Sequence, residues 1–219
     1  MEDVTDVYIR PLSKSKYLTP KCIHFTQNGV KRKWECITEH ADVAILIFNT
    51  SRDVFVFVKQ FRPAVYFQNA ETKKVNGEHK IDTRKYPPSL GVTTELCAGI
   101  VDKNASLTQI AQAEVLEECG YDVPEEKLLK ITSFRNGTGT SGAVVNLYYA
   151  EVTDAMRIGR GGGLASEGEM IEVVEMSVSE ARQLILDEGV NREAGFMFAL
   201  LWFIHNIWPD KEKKKKKNV

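Results

Sequence analysis

Apolar and polar residues alternate along the first forty positions as they do in short strands, over residues 7–12, 22–27 and 31–39, with an Asn28-Gly29 turn joining the last two into a hairpin. Two β-rich runs follow at 43–48 and 54–61, and their apolar content predicts a second hairpin that is buried. The polar stretch 68–88 breaks the pattern and reads as a surface insertion, because a loop of that length in a compact domain is usually functional or disordered. Strands resume at 93–97, 128–134, 143–152 and 171–176. Helical spacing marks about 107–119, which opens on a capping box of Ser106 and Gln109 and stops at Gly120. It also marks 180–187, with Ser177 and Glu180 as a second capping box, and 192–208. Strands interleaved with helices in this order predict an α/β fold, a mixed sheet with helices on its faces. A small antiparallel β subdomain over 1–40 precedes a main domain over 41–208, and the lysine-rich 209–219 reads as a disordered, solvated tail.

Composition narrows the function classes. Lysine and arginine number 29 against 30 aspartate and glutamate, which argues against a nucleic-acid binder that works through a broad basic face. The longest apolar run, 196–204, is too short to span a bilayer, so no membrane segment is expected. Cys22, Cys36, Cys97 and Cys119 show no CxxC spacing, and no apolar signal segment opens the chain, which together predict a reducing, cytoplasmic location. The four histidines show no ligand spacing and none is assigned to catalysis.

The predicted helix 107–119 carries the chemistry. Glu114 and Glu118 are four residues apart and Glu114 and Glu117 three, so their carboxylates share one face. Each like-charge pair costs about 0.2 to 0.5 kcal/mol, and the helix dipole adds to the penalty because its C-terminal end is negative. A divalent cation would reverse both effects. An ordinary solvated acidic face is the alternative.

The spacing of GIVDKNASLTQIAQAEVLEECGY, residues 99–121, resembles the Nudix box, GX5EX7REUXEEXGU, through Gly99, Glu114, Val115, Glu117, Glu118, Gly120 and Tyr121. Two positions depart: the first Glu of the box falls on Ala105 and its Arg on Ala113. With VFVFVKQFRPAVY, ELCAG, GLASEGE and the closing helices, the chain is similar to the ADP-ribose and nucleoside-diphosphate-sugar pyrophosphatases of that family. Its long insertion before ELCAG is most like that of the animal UDP-glucose pyrophosphatases.

The resemblance implies an α/β/α sandwich and Mg²⁺-dependent cleavage of the pyrophosphate of a nucleotide sugar, UDP-glucose first and ADP-ribose second, with Mn²⁺ as a substitute ion. It implies Glu114, Glu118, Glu169 and the Ala98 carbonyl as metal ligands, with Glu117 beside them for a second ion or a bridging water. Glu167, after a run of glycines, becomes the general base, although Glu167 and Glu169 can exchange roles. Arg62 is placed to meet a phosphate, with a surface ion pair as the plain alternative. Arg135 and Gly137 belong to a turn that can reach the sugar. Trp34 would stack on the base across a homodimer, with core packing as its alternative. Ala105 and Ala113 keep open a second function, a nucleotide-binding protein with little turnover.

Overall fold

A period of two in the apolar residues builds the centre of the molecule. A computed structural model of the chain describes residues 3–15 and 18–217, without the side chains of Glu167 and of residues 214–217. In chain order the strands and helices are β1 (Tyr8–Ile9), β2 (Thr19–Gln27), β3 (Val30–Thr38), β4 (Asp42–Asn49), β5 (Val54–Phe61), α1 (Pro63–Gln68), β6 (Thr72–Val75) and β7 (Glu78–Ile81). They continue with β8 (Val92–Glu95), β9 (Cys97–Ile100), α2 (Leu107–Cys119), β10 (Leu128–Arg135), β11 (Val144–Val152), β12 (Ile171–Ser177), α3 (Val178–Leu184), α4 (Ala194–Asn206) and α5 (Trp208–Lys217).

The main sheet runs β10-β11-β4-β5-β12, and β9 and β8 lie beside β4 and β5. Only the β11–β4 pair is parallel, so the sheet is mixed. Along β4, Val43, Ile45 and Ile47 point to one face while Ala44, Leu46 and Phe48 point to the other, and both sets are buried. The first set packs with Val56 and Val58 under the α2 residues Ile110, Ala111 and Val115. The second packs with Phe55 and Phe57 under Phe196, Leu200 and Phe203 of α4. The result is the mixed sheet with helices on both faces that the residue pattern predicts, and the α/β/α sandwich that the resemblance implies.

Two regions differ from the sequence reading. The insertion 68–88 is not a plain loop: β6 and β7 form a hairpin across Asn76-Gly77, both at positive φ (51° and 86°), and β7 pairs with β1. That Asn-Gly turn is the same signal that marks Asn28-Gly29 between β2 and β3. At the other end, the segment read as a solvated tail continues as helix α5. Lysine is a good helix former, and Lys211 pairs with Glu151 at 2.8 Å while its ammonium lies 5.4 Å from the centre of the Phe48 ring. The hairpin β2–β3 stands apart from the main sheet, with Ile23, Val30 and Trp34 about half exposed or more.

Phe203 is the hub of the α4-side core, with ring centres 4.6 Å from Phe48 and 4.7 Å from Phe55. Phe203→Ala is expected to lower the unfolding free energy by about 3 to 5 kcal/mol. Urea denaturation followed by tryptophan fluorescence measures it, and a loss under about 1 kcal/mol would show that this face of the sheet is not a packed core.

Candidate active site

The site opens where β4 and β5 part. The two strands pair only from Ile47 to Asn49 on the β4 side; nearer the cavity β9 takes the place beside β4, with Ala98 opposite Ala44, and β8 the place beside β5. The chain from β8 into β9 therefore wedges the hairpin open and offers its backbone to α2. A cavity of about 540 Å³ lies there. Asp42, Gln60, Arg62, Glu95, Ala98 and Gly99 line it from the sheet, Glu114, Glu117 and Glu118 from α2, and Glu169 from the segment before β12.

Local sequence puts α2 in place. Ser106 Oγ accepts from the Gln109 N–H and Gln109 Oε1 from the Ser106 N–H, each at 3.1 Å, and Gly120 ends the helix in the left-handed conformation. Ile110, Ala111, Val115 and Cys119 bury the inner stripe, and this carries Glu118 inward until it is 3% exposed. The Ala98 N–H donates to its carboxylate at 3.0 Å, and the Cys97 thiol also bonds to it. Burial pushes the Glu118 pKa up from 4.5 to about 8, and the charges of Glu114 and Glu169 push the same way against those two hydrogen bonds. Glu114 lies against Gly99, where an added methyl would collide with its carboxyl group. A side chain at this first position of the box would have to displace the Glu114 carboxylate, which occupies that space.

The glycine run does a different job from the one its composition suggests. It is docked on the end of α2: the Gly162 N–H donates to the Glu118 carbonyl (2.8 Å), the Gly163 N–H to the Glu117 carbonyl (3.2 Å), and those of Ile158 and Gly159 to the Gly120 carbonyl (2.9 and 3.1 Å). Gly161, at φ 70°, lies so close to the Glu118 carbonyl that a methyl there would overlap it. The carbonyls left over at the helix end are thus satisfied by the segment that leads to Glu169, whose carboxylate accepts from the Leu164 N–H at 2.8 Å. Glu167 belongs to the turn Ala165–Glu167, and its side chain lies outside the described residues.

Ala98, Glu114, Glu117, Glu118, Glu169 and Arg62 meet at one cavity. Arg62 is already engaged there, its Nε and Nη2 forking onto Glu95 at 2.9 and 2.6 Å, and Gln60 and Thr93 donate to the same carboxylate. Trp34, Arg135 and Gly137 are not among the lining residues. Trp34 Nε1 donates to the Gly139 carbonyl (2.9 Å) and Arg135 Nη1 to the Gly142 carbonyl (3.0 Å), so both brace the turn beside Asn136, which does line the cavity. Asp42, Glu95 and Glu193 also face the cavity and escaped the sequence reading. Glu95 had a signal, its place in ELCAG; Asp42 and Glu193 lie at the edges of apolar runs and have none.

Charge decides what this cavity can hold. Glu39, Asp42, Glu95, Asp102, Glu114, Glu117, Glu118, Glu169 and Glu193 line it, against Arg62, Lys103 and His40. Burial, helped by Glu39 and Glu193, pushes the Asp42 pKa to about 6. An anion enters such a space only with cations, and carboxylate and carbonyl oxygens are the donors that hard divalent cations take. Among the described residues no group of three or more His, Cys, Asp or Glu side chains is already arranged to hold an ion.

No protein-family model matches the chain. It is 40% identical over 217 residues to the uridine diphosphate glucose pyrophosphatase NUDT14 of Bos taurus, covering 95% of this chain and 98% of that one. The chain belongs to the Nudix hydrolases that act on nucleoside-diphosphate sugars. The Mus musculus counterpart is 38% identical over the same shares, and the GDP-mannose pyrophosphatase of Klebsiella pneumoniae is 32% identical over 158 residues, 72% of this chain and 68% of that one. At the two positions where this Nudix box departs from its pattern, Ala105 and Ala113 are both exposed. Glu118 is instead oriented from the sheet side, by Ala98 and Cys97.

The raised pKa of Glu118 gives a signed prediction. Between about pH 4.5 and 8 the metal-free folded state holds a proton that the unfolded chain has lost, so this group's contribution to stability falls as pH rises through that window. Glu118→Gln is neutral throughout. In EDTA its Tm is expected to exceed that of the parent protein at pH 8 and to approach it near pH 4.5; a variant less stable than the parent at pH 8 would contradict the buried, protonated carboxyl.

Proposed function

We propose that the chain hydrolyses UDP-glucose to UMP and glucose 1-phosphate, with ADP-ribose as a second substrate, and that it uses Mg²⁺, for which Mn²⁺ can substitute. The observation that carries this reading is the buried Glu118, held by Ala98 in a cavity so acidic that a pyrophosphate requires cations to enter it. The two NUDT14 proteins cover nearly the whole chain and support the choice of UDP-glucose.

Glu114, Glu118, Glu169 and the Ala98 carbonyl are the ligands in this reading. The carbonyl fits because the N–H and C=O of one strand residue face the same edge, and the Ala98 N–H is turned toward Glu118. Bound Mg²⁺ supplies charge neutralisation and a more acidic water. The reaction adds the oxygen of one water to one phosphorus and breaks the P–O bond to the bridging oxygen. Glu167 takes the proton of that water, with Glu169 as the alternative base, and Glu117 steadies the hydration around the ligands. Arg62, held in its fork by Glu95, turns the rest of its guanidinium to a phosphate oxygen.

The recognition elements belong to the same proposal. Trp34 stacks on the base, and Arg135 and Gly137 shape the turn beside the sugar. The hairpin β2–β3 exposes Ile23, Phe25, Val30 and Trp34 and forms a two-stranded sheet of its own, which supports a homodimer that covers it with a second copy. Free thiols at all four cysteines fit a reducing compartment, the cytoplasm. No helix among the described residues is long and apolar enough to cross a membrane. The second reading, a nucleotide-binding protein with little turnover, rests on Ala105 and Ala113.

Incubation with UDP-glucose and Mg²⁺, with chromatography of the monophosphate products, separates the two. The parent protein is expected to release UMP, EDTA to stop it, and Glu118→Gln to lower kcat roughly a hundredfold, the scale of losing a few kcal/mol of charge stabilisation. Binding without product in the parent protein would establish the second reading instead.

A further inference from the structure

Asp154, just after β11, begins a connection that docks on the end of α2 and ends in Glu169. The polar groups that fix its start lie at the far end of the sheet, away from the cavity. Arg52, in the turn between β4 and β5, donates from Nε to Asp154 at 2.7 Å and forks through Nη1 and Nη2 onto Glu175 of β12, the strand that receives the connection. Its Nη2 also reaches the Tyr121 hydroxyl at 3.3 Å, on the α2 side. Asn49, fully buried, donates to the same hydroxyl (3.1 Å) and to Asp154 (2.8 Å), and Arg157 reaches Glu175 at 3.7 Å.

A single guanidinium therefore touches both sides of one seam. Tyr121 follows the Gly120 that ends α2, and Asp154 precedes the Ile158–Gly163 backbone that hydrogen-bonds to Glu117, Glu118 and Gly120. A lone exposed ion pair contributes little, but a bidentate arginine within a network of several charged and buried groups can fix a geometry. We infer that Arg52 is a positioning residue: it sets the register of the glycine-rich connection against the end of α2, and so the placement of Glu169 relative to Glu114 and Glu118.

This rests on the proposed role of Glu169 as a ligand. Its signature is a change in metal dependence without a change in substrate contact, since Arg52 is not among the residues that line the cavity. The experiment measures Mg²⁺ binding by isothermal titration calorimetry and UDP-glucose hydrolysis against Mg²⁺ concentration for the full chain, well below the Tm of each variant, and the dissociation constant is expected to shift together with the half-saturation. Arg52→Gln is expected to raise the Mg²⁺ concentration for half-maximal rate roughly tenfold, the scale seen when groups that orient metal ligands are lost, and to leave the KM for UDP-glucose at saturating Mg²⁺ within about twofold. Arg52→Lys, which cannot fork, is expected to recover only part of that shift. Tyr121→Phe removes one acceptor of the network and is expected to move the half-saturation the same way by a smaller factor; it decides the matter if Arg52→Gln fails to fold. A lower Tm with unchanged Mg²⁺ half-saturation in Arg52→Gln, or in Tyr121→Phe where that variant decides, would reduce Arg52 to a stabilising residue. Should Glu169→Gln keep the parent protein's Mg²⁺ half-saturation, it is the ligand assignment itself that fails, a result distinct from an Arg52 variant that leaves metal dependence unmoved while Glu169→Gln shifts it.

Discussion

At the C-terminal end of α2, carbonyls with no partner inside the helix and the carboxylates of Glu114, Glu117 and Glu118 concentrate negative charge, and the surrounding chain is arranged around that concentration. The Ile158–Gly163 segment brings backbone N–H groups to the carbonyls, and this requires glycine where the two backbones nearly touch, at Gly161. The Ala98 N–H and the Cys97 thiol meet the Glu118 carboxylate from the sheet, and Gly99 leaves room for that of Glu114. These groups satisfy hydrogen bonds but bring no full positive charge. Burial first, and then the charges of Glu114 and Glu169, still hold the Glu118 pKa up at about 8, and a divalent cation is the natural complement.

The sheet explains why this concentration occurs in a cavity and not on a surface. β4 and β5 would be an ordinary hairpin if they paired along their whole length. Because β8 and β9 enter between them, the backbone of Ala98 is free to face α2, and the residues at the open end, Asp42 on β4 and Gln60 on β5, become walls. Both faces of β4 are buried, so the strand cannot slip by one residue without exchanging its two apolar sets between the α2 and α4 layers. Core packing thereby holds the site to a fixed register.

Much of this was readable in residue order, for physical reasons. The capping boxes at Ser106 and Ser177 are local, and both form as their spacing predicts. The carboxylate face of α2 follows from helical periodicity alone. What residue order hid is non-local. The Asn76-Gly77 turn was written in the insertion, but the flanking strands have too little apolar alternation to announce themselves and take shape by pairing with β1. The helix α5 depends on Trp208 and on Lys211 meeting Phe48 and Glu151, contacts that a lysine run does not reveal. The glycines before Glu169 suggest freedom by composition, yet their use is close approach, which only the position of α2 discloses. The carboxylates of Asp42 and Glu193 reach the cavity through tertiary packing, and nothing in their neighbours marks them.

The two departures from the Nudix box bear on turnover through charge. Relative to the pattern, Ala105 removes an acid and Ala113 a base, so the pair leaves the net charge of α2 and its approach unchanged. Had the arginine alone been lost, the acidic end would carry one more unbalanced negative charge and Glu118 would be harder still to ionise. Orientation of the key carboxylate also does not depend on a side chain at position 113, because that position is exposed while Glu118 is gripped from the opposite side by Ala98 and Cys97. Glu114, Glu117 and Glu118, the glycine at 99 and the Ala98 backbone donor are all kept. Of the two readings, that balance favours hydrolysis over simple binding.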